Sequence, residues 1–281
     1  MSATLRHAGW VLRGNPVTAG AAAGAVVLVA IAVLAPWITP YDPIASNVPA
    51  ALQPPSAAHW AGTDQLGRDI FSRLIAATRL DLGIAVSAVL LSFVAGATIG
   101  ALCGYAGGRI DRYVGRLVDV LMAFPLFVLA MALVAALGNR VENIVIATAL
   151  INLPFYIRFA RAEVNVRRHA GWVEAARAGG ESHVTIVLAY LLPNILPAMA
   201  VQISLNLGWA ILNAAGLSFL GLGVQAPTPE WGIMVAEGAR FIGNGQWWLV
   251  AFPGLALMLA VLCFNLLGDG LRDILDPRMR T

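Results

Sequence analysis

The chain has 281 residues, of which 59% are hydrophobic and only 12% are charged, and its mean hydropathy is +0.77. Because soluble domains carry about 25% charged residues, this composition predicts a membrane protein and excludes an ordinary soluble one. The net charge of +3 is too small and too dispersed for a nucleic-acid-binding surface. All 18 basic residues are arginine. Without a lysine the chain cannot carry the phosphate-binding loop of ATPases.

The residues that usually carry catalysis or bind metals form no recognisable pattern. Cys103 and Cys263 both lie in apolar runs, where a free cysteine behaves as a small hydrophobic residue. The 4 histidines are dispersed and show no zinc-ligand spacing, and there is no Gly-x-Ser-x-Gly nucleophile motif. We therefore predict neither an enzyme nor a metal or cofactor site in this chain.

The first membrane span is predicted in the uncharged run from Val17 to Ala35, because a bilayer-spanning helix needs about 20 apolar residues. The apolar region of a secretory signal is shorter, so we interpret this run as a span. A segment rich in proline and glycine follows, and it should form no long regular element before Asp69. From Asp69 to Leu80 the pattern predicts an amphipathic helix.

The next uncharged run, Leu82 to Cys103, predicts a second span. It contains Gly96 and Gly100, and small residues four apart allow helices to approach closely in a membrane. Further spans are predicted around Val120 to Leu137 and Ile144 to Ile157. Two more follow, one starting near Pro193 and Pro197 and ending near Gly216 to Gly223, and one within Phe241 to Gly268. The six predicted spans cover about 17–36, 82–104, 119–137, 141–160, 194–216 and 246–268.

Arginine distribution predicts the orientation of these spans. Six spans place both termini on one side, and 13 of the 18 arginines fall at the termini and in the two loops on that side. By the positive-inside rule that side is cytoplasmic. Segment 37–80 and loop 217–245 are then extracytoplasmic, whereas loop 161–192 is cytoplasmic.

The cytoplasmic stretch from Val173 to Pro193 is predicted to be a docking element. An acid in a first turn is favoured by the helix dipole, so a helix should start at Glu174, and Gly179-Gly180 should end it within two turns. A helix this short is marginal in water. Its alanines allow close approach, which indicates that packing against a partner holds it.

This stretch resembles the EAA loop of ATP-binding-cassette (ABC) importer permeases. The matching residues are Glu174, Ala175, Ala176, Gly180 and then Leu192-Pro193. Tyr190 stands where that family usually has isoleucine. A cytoplasmic amphipathic turn with ordinary alanines is the alternative for this motif taken alone.

Three further strings resemble the dipeptide, oligopeptide and nickel group of these permeases. They are Gly62-Thr63-Asp64-x-x-Gly67-Arg68-Asp69, then Leu217-Ser218-Phe219-Leu220-Gly221-Leu222-Gly223 with Pro227-x-Pro229-x-Trp231-Gly232, and Gly268-Asp269-Gly270-Leu271-Arg272-Asp273-x-Leu275-Asp276-Pro277-Arg278. The first string would equally suit a capped surface helix with a Thr-Asp turn. Members often carry a glutamate three residues before Leu-Ser-Phe, but here that position is Ala214, so no role of that acid is carried over.

The resemblance implies an all-α type I ABC importer transmembrane domain with a cytoplasmic coupling helix, in the bacterial inner membrane. The implied partners are a second related permease, expected as a heterodimer, two cytoplasmic ATPases that bind ATP and Mg²⁺, and an extracytoplasmic substrate-binding protein. The spans contact lipid. The implied ATPase-coupling residues are Glu174, Ala175, Ala176, Gly180, Leu192 and Pro193.

Three amides on the fifth span are candidates for the translocation path. Gln202, Asn206 and Asn213 are spaced four and seven apart, which places them on roughly one helix face. The alternative role is hydrogen bonding between helices of neighbouring permease subunits, which amides commonly perform in membranes.

Peptides are the cargo that the resemblance implies, and nickel or another small solute in the same machine is the alternative. A secondary transporter driven by an ion gradient is a rival of another class, although the intramembrane acids and broken repeat helices typical of such carriers are not evident. A structural membrane scaffold would instead tolerate disruption of Val173 to Pro193.

Overall fold

The computed structural model describes residues 14–275. This part of the chain consists of helices and connecting segments and contains no β-strand. The helices are α1 (Pro16–Ile38), α2 (Ile70–Ala106), α3 (Gly108–Ala123), α4 (Leu126–Leu137), α5 (Val141–Arg167), α6 (Gly171–Ala178), α7 (His183–Phe219), α8 (Trp231–Ala239) and α9 (Trp248–Leu275).

Five of these helices, α1, α2, α5, α7 and α9, are long and apolar enough to cross a membrane. Helices α3 and α4 together pass the same test but are bent by 88°, so the number is six if that pair counts as one span. The predicted all-α membrane fold is confirmed. We call the end of the bundle that carries α6 the α6 end, and the opposite end, with segment 39–69 and α8, the α8 end.

Helix α2 is the central helix of the bundle, and it packs against α1, α5 and α7. Its closest approach is to α5. A Cβ placed on Gly96 would lie 2.6 Å from Tyr156 Cβ, and one on Gly100 would lie 2.4 Å from the Ile157 carbonyl oxygen. The close helix contact predicted from Gly96 and Gly100 is therefore confirmed, and it depends on the absence of side chains there.

Replacing Gly100 by valine should destabilise the bundle, because the new side chain has no room between α2 and α5. Overpacking of this kind typically costs about 1–3 kcal/mol, and backbone cannot move aside as a flexible side chain can. The thermal unfolding temperature of the purified chain measures the effect. Gly83→Ala on the same helix is the control, since nothing lies within 4 Å of its Cβ position; equal stability of the two variants would contradict the packing argument.

The residues predicted as the third span, 119–137, are divided between α3 and α4. Phe124 and Pro125 are extended at the break, with ψ of 146° and 109°. Proline disfavours helical backbone in the residue before it, which explains the break. By contrast, Pro154 and Pro197 lie inside continuous helices.

Three expectations about element boundaries are wrong. The amphipathic helix expected from Asp69 to Leu80 is the first part of continuous α2, with Asp69 as its N-cap, because Asp69 Oδ2 accepts from the Ser72 N–H at 2.7 Å. The fifth membrane helix begins at His183 rather than at the prolines. Loop 217–245 contains a helix, α8, that was not predicted. Segment 39–69 has no helix beyond the turn Val48–Ala50, as expected.

Candidate functional site

Helix α6 is the short helix that was predicted between two membrane spans. It begins at Gly171, three residues before the predicted start, and places Glu174 in its first turn and Arg177 in its last, which suits the helix dipole at both ends. Gly180 has φ of +82°, the Gly180 N–H donates to Arg177 O and the Glu181 N–H to Ala176 O. This pair of bonds is a Schellman motif, so the glycine stop is confirmed.

The side chains of α6 divide into a buried and an exposed set. Val173 is fully buried in the main hydrophobic cluster, which also contains Ile186 and Val187 at the start of α7. Glu174, Ala175 and Gly180 are exposed, whereas Ala176 is half-buried. Leu192 is half-buried and Pro193 is exposed, and both lie in α7 rather than in α6. The helix is thus fixed to the bundle by one face and presents the other.

Polar contacts tie α6 to two membrane-length helices. Arg177 pairs with Glu174 at 3.1 Å, and its Nη2 donates to the Tyr105 hydroxyl at 3.2 Å near the end of α2. The guanidinium also lies 5.5 Å from the centre of the Tyr105 ring. The same hydroxyl is 3.0 Å from Nδ1 of His183, the first residue of α7. A displacement of α6 would therefore act on α2 and α7 together.

Sequence reasoning missed Tyr105 and His183. They lie 72 and 6 positions from Arg177 in the chain, and no short motif relates them. A single tyrosine at the end of an apolar run is usually an interfacial anchor, which is the interpretation the sequence alone favours.

The first turns of α7 depart from regular α-helix. After His183–Thr185, residues Ile186–Leu191 form a π-helical segment, and the Leu192 N–H donates to Val187 O. Asn194 Nδ2 donates to the Tyr190 carbonyl at 2.7 Å, beside Pro193, which has no N–H. π-Helical turns are frequent at functional sites and mark places where helix register can change. This one lies between α6 and the membrane-length part of α7.

The three candidate path amides lie on α7, and two of them are buried within the chain. Asn206 is 7% exposed and Asn213 is 6% exposed, whereas Gln202 is half-buried. Gln202 Nε2 donates to Asn206 Oδ1 at 3.2 Å, and Asn213 Nδ2 donates to the Trp209 carbonyl at 2.9 Å. The side chain of Asn206 lies beside the Tyr156 hydroxyl of α5.

A buried cluster of charges lies at the α8 end. Arg68 and Arg73 are each 1% exposed. Arg68 Nε lies 2.6 Å from Asp64 Oδ2, and its Nη2 lies 3.3 Å from Glu237 Oε2 on α8. Arg73 Nη1 donates to the carbonyls of Pro43 and Pro227. Two arginines and two acids thus balance each other and join segment 39–69, α2 and α8.

This cluster gives a structural role to the Gly62 to Asp69 string. The Asp64 carboxylate also accepts from the N–H groups of Leu66 and Arg68. Gly67 has φ of +73°, and a Cβ there would lie 1.8 Å from Asn47 O. The surface-helix alternative is wrong because Thr63, Asp64 and Arg68 are buried.

Comparisons with known proteins agree with these features. The family described as binding-protein-dependent transport system inner membrane component matches residues 96–281. The family described as N-terminal TM domain of oligopeptide transport permease C matches residues 4–55.

Three curated relatives cover most of the chain. A probable D,D-dipeptide transport system permease protein of Escherichia coli K12 is 43% identical over 96% of this chain and 90% of its own length. A dipeptide transport system permease protein of Alkalihalophilus pseudofirmus is 45% identical over 89% of this chain and 82% of its own. A nickel transport system permease protein of Escherichia coli K12 is 43% identical over 91% of this chain and 92% of its own.

The helical bundle, the short helix between two membrane-length helices and these matches lead to one assignment. The chain belongs to the binding-protein-dependent transport system inner membrane components and is a multi-pass permease subunit of an ABC importer.

Proposed function

We propose that α6 is the coupling helix through which cytoplasmic ATPases drive this permease. The observation that carries the proposal is the division of α6 into a buried Val173 and an exposed Glu174 and Ala175, which leaves a surface of small side chains free at the end of the bundle. The arginine distribution supports a cytoplasmic α6 end, and both termini then lie on that side. Of the predicted coupling residues, Glu174, Ala175 and Ala176 lie in α6, Gly180 lies in the turn that ends it, and Leu192 and Pro193 lie in the first part of α7.

The working complex contains two permeases, two ATPases and a substrate-binding protein. We infer a heterodimer of this chain with a second, related permease. The ATPases bind the ATP and Mg²⁺, and the substrate-binding protein delivers cargo at the α8 end. Closure of the ATPases displaces α6, and the contacts of Arg177 with Tyr105 and of Tyr105 with His183 pass the movement to α2 and α7.

Peptides of two or a few residues are the proposed cargo. Support comes from the relatives, two of which are named as dipeptide transport permeases at 43% and 45% identity. Nickel is the second candidate, because a nickel transport permease is also 43% identical and covers a similar share of the chain. Uptake of each cargo by the assembled complex distinguishes the two.

Uptake by the reconstituted complex tests the proposal. The complex of both permeases, the ATPases and the binding protein is placed in lipid vesicles and supplied with a radiolabelled dipeptide or with radioactive nickel. We expect ATP-dependent accumulation of the dipeptide and none of nickel. Accumulation of nickel alone would transfer the assignment to the second candidate, and uptake that continues without ATP would favour a secondary transporter.

The three amides of α7 differ in how far they are exposed, and we infer different roles for them from this difference. We propose that half-buried Gln202 lines the path, whereas Asn206 and Asn213 stabilise helix contacts inside the chain. Gln202→Leu should then change the rate of uptake in a normally assembled complex. Asn206→Leu and Asn213→Leu should lower thermal stability by about 0.5–1.5 kcal/mol, because each removes a hydrogen bond within α7, to Gln202 or to the Trp209 carbonyl. Unchanged uptake in Gln202→Leu would exclude it from the path.

A further inference from the structure

Two carboxyl groups meet inside the bundle at the α8 end. Asp81, in α2, is 3% exposed, and Glu230, the N-cap of α8, is 1% exposed. The two carboxyl groups accept from three consecutive N–H groups at the start of α8, Trp231 to Asp81 and Gly232 and Ile233 to Glu230, so they lie side by side. Two carboxylates buried side by side repel each other strongly, so one of the two acids holds a proton.

The two acids differ in the number of hydrogen-bond donors around them, and this difference indicates which acid holds the proton. The Gly232 N–H donates to Glu230 Oε1 at 2.9 Å and the Ile233 N–H to Oε2 at 2.7 Å. Glu230 is thus surrounded by donors at a helix N-terminus, which favours its anion. Asp81 accepts only the Trp231 N–H, at 3.1 Å through Oδ2, which leaves Oδ1 to carry the proton. Ser218 Oγ, at the end of α7, accepts from the Val224 N–H at 3.0 Å and so ties the neighbouring loop to α7.

The charged residues of the neighbouring elements do not neutralise this pair. No arginine or histidine in residues 14–275 lies within ion-pair distance of either carboxyl group. On α2, Arg73 is engaged in the charge cluster, and exposed Arg79 lines an open groove. On α8, Glu237 bonds to Arg68, and the stretch 184–229 has no charged residue. Two buried carboxylates without a cation cannot both stay ionised.

We propose that Asp81 and Glu230 form a proton-binding site whose single shared proton holds loop 220–230 and the start of α8 against α2 and α7. The contacts join three elements, because Asp81 of α2 accepts from the Trp231 N–H beside Glu230, and Ser218 of α7 accepts from the Val224 N–H of the loop. When the proton leaves, two adjacent anions repel each other in a dry site and the loop separates from α2. The site therefore makes closure of this part of the α8 end dependent on pH.

The direction of the pH dependence follows from the buried acid. Burial beside a second carboxylate disfavours loss of the single proton that the pair holds. A carboxyl group with a raised pKa contributes stability at low pH and loses it as pH rises through the raised value. The loop is consequently closed at low pH and opens with rising pH. Once the proton is released, opening increases up to about tenfold per pH unit.

Cysteine labelling of a buried loop position measures the opening. Val224, 3% exposed, is replaced by cysteine in the assembled complex, after Cys103→Ala and Cys263→Ala remove the two native thiols. The labelling rate is divided by that of a free thiol at each pH, from about pH 6 to about pH 10, to remove the thiol's own titration. We expect the corrected rate to rise with pH in this background. Asp81→Asn keeps one donor and one acceptor but no titratable group, so its rate should stay low and flat.

Glu142→Gln is the matched control, because it removes an exposed acid at the start of α5 and should leave the pH profile unchanged. Infrared spectra of the assembled complex give a second readout, because a protonated carboxyl group has its own carbonyl-stretch band. Asp81→Asn should remove this band. A pH profile that is flat in the background, or equally steep in Asp81→Asn, would overturn the proposal. A carboxyl band in Asp81→Asn equal to that of the background would also overturn the proposal, even if the variant assembles poorly.

Discussion

Replacing Arg68 by methionine is expected to lower the stability of the purified chain by about 3–5 kcal/mol, because removing one partner of a buried ion pair leaves the opposite charge uncompensated. Arg68 contacts both Asp64 and Glu237, and only Arg73 would remain to balance the two acids. The change should also release α8 from segment 39–69. Thermal unfolding and the yield of assembled complex measure the effect.

Arg140→Met is the control for that substitution. Arg140 pairs with Glu142 at 3.7 Å, but its side chain is 79% exposed, and exposed pairs contribute about 0–1 kcal/mol. If Arg68→Met were as stable as Arg140→Met, the buried charge cluster would not be what holds segment 39–69, α2 and α8 together. A double variant, Arg68→Met with Asp64→Leu, should recover part of the loss, since it restores the balance of charge.

Val173→Asp is expected to detach α6 and to abolish ATP-driven uptake. Full burial of a valine side chain is worth about 1.5–3 kcal/mol, and an unpaired carboxylate in its place costs more. A helix of eight residues has little other stability. Trypsin cleavage after Arg177 should become faster, and uptake should fall to background.

Gly171→Asp introduces the same charge on the same helix, at an exposed first position with nothing within 4 Å of its Cβ site. It should resist trypsin like the wild type, since an acid in the first turn is favourable. Protection of Val173→Asp equal to that of Gly171→Asp would mean that the buried valine does not hold α6.

The sequence predicts those features that depend on neighbouring residues. Hydropathy identifies the membrane-length helices, the Gly179-Gly180 pair predicts where α6 ends, and Gly96 with Gly100 predicts a close contact on α2. Each is a local property, because helix length, a left-handed stop and a small-residue face are set within a few turns.

Features that depend on distant residues were not predictable. Arg68 and Glu237 are 169 positions apart, and nothing in the sequence marks Arg68 as buried. Prolines are also ambiguous, since Pro125 interrupts the helix and Pro154 does not. The difference depends on whether neighbouring helices compensate the lost backbone bond, which a single sequence does not contain.

The most direct test of the central claim is co-purification of this chain with its ATPases. Wild type, Glu174→Arg and Gly180→Trp are compared at equal membrane levels, with Glu163→Gln as a control on the α5 side of the loop. If α6 couples the permease to the ATPases, both α6 variants lose the ATPases, or keep them with ATP hydrolysis that no longer responds to cargo. Full retention of the ATPases and of cargo-dependent hydrolysis in both variants would contradict the account.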